Sequence, residues 1–156
     1  MRAQDFKALT NLLLTLLLAL LLTAIWWFST QTSLNQSSSK ALGNISCDFN
    51  NQACLFQEKG NKVHFTIANK TMQSFEPLTF NLEFVGYSPE TVAIDFQGIE
   101  MFMGANLLNL EKSSDNTFTG THTLAGHAGM SMTWRAIVKF TQSGQAETVE
   151  FEFELE

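Results

Sequence analysis

Two short segments carry the side chains best suited to chemistry: Met101-Phe102-Met103, and Gly126-His127-Ala128-Gly129-Met130-Ser131-Met132. In extended backbone, residues two apart point to the same side, so each Met-x-Met pair could aim two thioethers at one point. His127 could add an imidazole. Thioether plus imidazole is a soft donor set that suits Cu(I) better than zinc or calcium. Outside the cytoplasm cysteines tend to be oxidised, which leaves Met and His as the available soft ligands. The competing reading is packing, because methionine is an adaptable core filler and Met132 is in phase with Trp134, Ala136 and Val138.

Other chemistry is thin. There is no Gly-x-Ser-x-Gly elbow, no His-Glu-x-x-His, no phosphate-cradling glycine loop and no reactive lone cysteine, so the chain does not read as an enzyme. His64 and His122 fall on alternating strand positions and read as surface or hydrogen-bonded histidines rather than ligands. Asp95 and Glu100 flank the strand leading into Met101; a carboxylate there could orient a ligating histidine, although solvated surface charge is the simpler account. Asn44 and Asn69 head Asn-x-Ser/Thr sequons, which matter only in a host that glycosylates.

The elements that must position these residues are strands. Val63, Phe65 and Ile67 alternate with polar neighbours, as do Phe80, Leu82 and Phe84, then Val92, Ile94 and Phe96. This period of two marks half-buried strands of antiparallel sheets. A short strand is expected at Leu108 and Leu110, another from Phe118 to Leu124, and a longer one at Met132, Trp134, Ala136, Val138 and Phe140, with Arg135 and Lys139 facing outward. The last, ETVEFEFELE, turns Val149, Phe151, Phe153 and Leu155 inward and a row of glutamates outward, a charged face that discourages edge pairing. Turn signals fall at Gly60-Asn61, Gly86 with Ser88-Pro89, 113–116, Gly126 with Gly129, and Ser143-Gly144. Seven to eight strands imply an all-β, immunoglobulin-like antiparallel sandwich, with Trp134 as its inter-sheet anchor.

Ahead of the strands, Leu12 to Phe28 is a run of seventeen residues without a charge. Extended back to Ala8 it gives about 30 Å of helix, enough to cross a bilayer. Arg2 and Lys7 precede it against Asp5, and Trp26-Trp27 stand where the far aromatic belt would lie, so the N-terminus should face the cytoplasm. A cleaved signal peptide fits less well, because the leucine run ends in Trp-Trp-Phe with no Ala-x-Ala site close behind. The organisation expected is a cytoplasmic head and transmembrane anchor at 1–29, a flexible polar tether at 30–46 and an extracytoplasmic domain at 47–156. Cys47 and Cys54 fall beyond the span and should form a local disulfide contributing about 2.5 kcal/mol. From residue 40 onward seven basic residues face fourteen acidic ones, a balance that excludes nucleic acid as a partner.

With VAIDFQGIEMFMG, FTGTHTL and GMSMTWRAIVKF in view, the layout resembles uncharacterised proteobacterial membrane-anchored proteins associated with cytochrome oxidase and copper-handling genes. More distantly it is similar to the FixH and YtkA-like group, which share a β-sandwich beyond an N-terminal span. The resemblance covers most of 47–142. It implies Met101, Met103, Met130 and Met132 as copper-contacting positions, Gly104 and Trp134 as structural ones, and a bacterial inner-membrane protein with a periplasmic domain. A cysteine stands near the His127 position in that group, so His127 departs from the pattern. The expected function is Cu(I) binding or oxidase assembly beside a periplasmic copper chaperone or membrane oxidase complex. The alternative is a metal-free accessory domain that docks through a sandwich face or edge.

Overall fold

The computed structural model describes residues 3–32, 40–49, 53–69, 71–127 and 129–156, and within the N-terminal helix the side chains of 11–27 only. Arg2 of the expected cytoplasmic head and 33–39 of the expected tether lie outside the described residues, as do the side chains of Asp5 and Lys7. The chain divides into two compact units, Met1–Ser38 and Ser39–Glu156.

The first unit is helix α1, Ala3–Thr32, rich in leucine, whose side chains are not branched at Cβ and so lose little rotamer freedom in a helix. All its described side chains are exposed. Thr15 and Thr23 donate their hydroxyls to the carbonyls of Leu12 and Leu20, each at 2.9 Å. Among the described residues no helix is long and apolar enough to cross a membrane.

The second unit is, among the described residues, a sandwich of ten strands: β1 Lys40–Ser46, β2 Cys54–Glu58, β3 Asn61–Ile67, β4 Pro77–Val85, β5 Thr91–Gly98, β6 Leu107–Asn109, β7 Glu111–Ser114, β8 Thr117–Thr123, β9 Met132–Gln142 and β10 Gln145–Leu155. One sheet has the order β1-β10-β9-β5-β6 and the other β2-β3-β4-β8-β7. The alternation read from the sequence places the core faces of β3, β4, β5, β9 and β10 correctly, and Trp134 is fully buried among them. Aromatic rings meet across the sheets: Phe65 with Phe151 at 5.1 Å, Phe80 with Phe96 at 4.7 Å, and Phe84 with Phe140 at 5.1 Å. Such pairs add to the area they bury by edge-to-face and tilted packing.

The structure differs from the sequence reading in three places. Residues 40–46 are not tether but strand β1, paired parallel with β10, so the domain begins before the first cysteine. Leu42 and Ile45 pack against the core while Asn44 donates its amide to Glu152 at 3.1 Å. The outer edge of β10 is thus covered by a strand rather than protected by its glutamates alone. Among the described residues the count is ten strands with one parallel pair, not seven to eight all antiparallel. Finally, the segment around Leu108 and Leu110 is two strands: β6 pairs with β5, then the chain crosses to the other sheet, where β7 pairs with β8. Leu110, whose amide bonds the Val92 carbonyl at 3.0 Å, is buried at the crossing.

The hairpin turns collect at one end of the sandwich. At the other lie the β3–β4, β5–β6 and β8–β9 connections and the disulfide between Cys47 and Cys54, with Cα atoms 5.5 Å apart, joining the end of β1 to the start of β2. This loop end carries every methionine singled out from the sequence.

Candidate functional site

Strand β5 ends at Gly98, directly opposite Trp134 on β9. The chain then turns through Ile99, whose amide bonds the Thr133 carbonyl at 2.9 Å, while the Glu100 carboxylate accepts the Thr133 amide at 3.1 and 3.2 Å. The Thr133 hydrogen bond is the main reason the Glu100 carboxyl titrates below its usual value. Glu100 is therefore a loop clamp, holding the β5–β6 connection against the start of β9, rather than a partner of a ligating histidine. Asp95, for its part, accepts from Lys139 at 2.9 Å on the outer face.

That clamp brings the two Met-x-Met segments to the same end. Met103 folds back over Gly98: a Cβ there would stand 2.8 Å from Met103 Cγ, 3.6 Å from Met132 Cε and 2.6 Å from the Met101 carbonyl oxygen. The missing side chain of Gly98 is what lets the loop lie down on the sheet, and its space is filled by methionine. Asn106 fixes the return of the loop by donating to the Met103 carbonyl at 3.0 Å, and Gly104 makes the bend at φ +79°, a value that glycine adopts without strain.

The five predicted residues sort into two tiers. Met132 is 4% exposed and Met103 is half-buried against the core. Met101 and Met130 are 47% and 64% exposed, and His127 is exposed as well. The Met130 amide bonds the His127 carbonyl at 3.0 Å, closing a small turn across Gly129. In the β5–β6 loop, between Met101 and Met103, Phe102 stands 91% exposed, an aromatic side chain with almost no cover.

Sequence reasoning misplaced His122. Read as a surface or hydrogen-bonded histidine, it is half-buried: β8 and the residue after it turn Phe118, His122 and Leu124 toward the other sheet and Thr117, Thr119, Thr121 and Thr123 outward. The His122 ring stacks on Phe96 with centroids 5.8 Å apart and planes 5° from parallel. Its Nε2 is buried and has no hydrogen-bond partner among the described residues, and the same holds for Trp134 Nε1. Its parity with Phe118 and Leu124 was the signal that could have placed it.

Also unforeseen is an open hollow of about 280 Å³ at this end, lined by Asp48, Phe49, Met72, Thr133, Glu152 and Glu154 among others. Glu152 is held there by Asn44 and by Arg135, whose Nη2 lies 2.7 Å away. These contacts, the Asn44 bond foremost, lower its pKa. A larger groove of about 400 Å³ runs past Val92, Leu110, Lys112 and Phe140, away from the methionines. Among the described residues no three His, Cys, Asp or Glu side chains are grouped to hold a metal ion.

No family model matches the chain, and no curated protein does. Two solved structures are similar in part. One is the crystal structure of a DUF4785 family protein from Legionella pneumophila, with 16% identity and a TM-score of 0.44 over 62% of this chain and 28% of that one. The other is the crystal structure of an engineered protein, with 16% identity and a TM-score of 0.42 over 58% of this chain and 19% of that one. The chain thus spans less than a third of either.

Proposed function

We propose that this chain is a membrane-anchored accessory protein whose immunoglobulin-like domain binds Cu(I) at its loop end, and that it serves a periplasmic copper chaperone or a membrane oxidase. The observation that carries this reading is that both Met-x-Met segments and their neighbouring histidines gather at one end of the sandwich. On this reading the expected kinship with FixH and YtkA-like proteins is one of layout.

The anchor is α1. Its thirty residues extend about 45 Å, against a hydrocarbon core of about 30 Å, although the described side chains, 11–27, make too short an apolar stretch to cross by themselves. The outward leucines, and the threonine hydroxyls satisfied within the helix, fit a hydrocarbon surrounding, where a side chain finds no water to bond. The immunoglobulin-like assignment draws on strand order. With β3 to β10 taken as A, B, C, C′, D, E, F and G, the sheets read A-B-E-D and G-F-C-C′. The disulfide departs from that pattern, since it joins β1 to β2 and not the two strands of the antibody bridge.

The test is a Cu(I) titration of the full chain in detergent, without oxygen and against a chromophoric chelator. A variant with Met101, Met103, Met130 and Met132 all changed to Leu runs beside it, a swap that nearly conserves volume. Stoichiometric binding that disappears in the variant supports the reading. If the wild-type chain takes no Cu(I) from the chelator, the exposed Phe102, Ile99, Met101 and Met130 favour the metal-free reading, a docking domain whose loop tip meets a protein partner.

A further inference from the structure

We infer that the metal-binding nitrogen at the loop end is His122 Nε2, and that it acts with the inner thioethers of Met103 and Met132 rather than with the exposed His127, Met101 and Met130. This rests on the Cu(I) reading above and gives it a ligand set. Three features single out the inner tier.

His122 is already oriented. Stacking on Phe96 fixes the plane of its ring, and β8 holds it on the inner face beside its ladder partner Leu78. His127 has only a main-chain turn to Met130 and an exposed side chain.

The nitrogen is also unspent. A buried polar atom without a partner costs roughly 1–3 kcal/mol, and such atoms in native proteins call for an explanation. Trp134 Nε1 and Ser74 Oγ share the condition, but a hydroxyl oxygen is a hard ligand poorly matched to Cu(I), and the indole is a donor only and cannot bind a cation. An imidazole nitrogen can, and the gain from relieving the unpaired atom adds to the metal affinity.

Finally, the thioethers are on the right side. Phe96 and Gly98 are two apart on β5 and face the same way, so the ring that holds His122 adjoins the glycine over which Met103 and Met132 converge. His122 and Met103 are half-buried, which puts the cluster just under the loop, where an ion can enter but bulk water is largely excluded. A dry shell favours Cu(I), whose soft ligands need not compete with water.

The experiment uses the full chain in detergent with ¹⁵N-labelled histidine and one equivalent of Cu(I), without oxygen. The expected result is a large shift of the His122 Nε2 resonance with those of His127 unmoved. In chelator competition, His122→Gln and Met103→Leu should weaken binding about tenfold or more, and His127→Ala should not. Thermal melts check that each variant folds; should His122→Gln fail, the wild-type spectrum and Met103→Leu decide. Binding that shifts His127 and spares His122 overturns this inference and leaves the Cu(I) reading standing. A wild-type chain that binds no Cu(I) overturns both.

Discussion

The two ends of the sandwich are built on different terms. At the turn end, Lys59-Gly60 and Ser143-Gly144 each place two successive residues at positive φ, the geometry of a two-residue hairpin turn whose twist matches its strands. Those turns are short and finish the sheet with no side chains to spare. At the loop end the connections are longer, a disulfide ties the two sheets together, and Phe102, Met101 and Met130 are left outside. An end that needed only to be closed would resemble the first. The second has extra chain, exposed apolar side chains and an unpaired imidazole, features a fold does not need for closure.

The contrast can be broken most severely from within. Trp134 faces Gly98 under the loops and is fully buried, so Trp134→Ala should cost about 3–5 kcal/mol, against a typical total stability of about 5–15 kcal/mol. Chemical denaturation of the variant would show the midpoint collapse; a loss below 1 kcal/mol would mean the loops are held independently of the ring beneath them. Next in size is the disulfide. Cys47→Ser with Cys54→Ser should lower stability by about 2.5 kcal/mol, and amide exchange should rise first in β1, the edge strand it retains. Uniform loss of protection across both sheets would contradict that picture.

How much of this could be read beforehand follows from which residues carry a period. The strands with one wet and one dry face announced themselves, because Val63 to Ile67 or Phe80 to Phe84 alternate without interruption. β7 could not, since Glu111–Ser114 is exposed along its whole length. β1, with Gly43 and Asn44 at its centre, has low strand propensity and is made a strand by a partner about a hundred residues away. In the candidate site, Met132 was in phase with Trp134 and its burial was foreseeable. Met103 was in phase with nothing, and its position depends on a glycine five residues earlier and on a loop that folds back, neither of which is a periodic signal.

Gly98 offers a sharper cut between the ends. Gly98→Ala would drive a methyl group toward the Met101 carbonyl, a backbone atom that must move, so the loop should lift at a cost of about 1–3 kcal/mol. Gly144→Ala at the turn end meets open space and should cost about 1 kcal/mol from backbone conformation alone. The informative measurement is tryptophan fluorescence of Trp134, which should change in the first variant and not in the second. Phe75, a bulky side chain at φ +66° beside the loop end, works in the opposite direction: Phe75→Gly should raise stability by about 1 kcal/mol, read as a higher denaturation midpoint. An unchanged midpoint would mean that the ring's contacts offset the backbone strain.

The smallest effect is a pH dependence confined to the loop end. Glu152 holds Asn44 of β1 and Arg135 of β9, and those bonds lower its folded pKa. A depressed carboxylate contributes stability that is fully present above its unfolded value, about 4.3, and is lost as pH falls through the lower folded value. The contribution is modest because the side chains are partly exposed. It should appear as reduced protection of the β1 amides below pH 4.3, measured against their intrinsic exchange rate at each pH, with β3 and β4 unaffected, and the acid response should vanish in Glu152→Gln. β1 amides that respond to acid equally in wild type and variant would instead assign the dependence to another carboxylate of that end, such as Glu100 on Thr133.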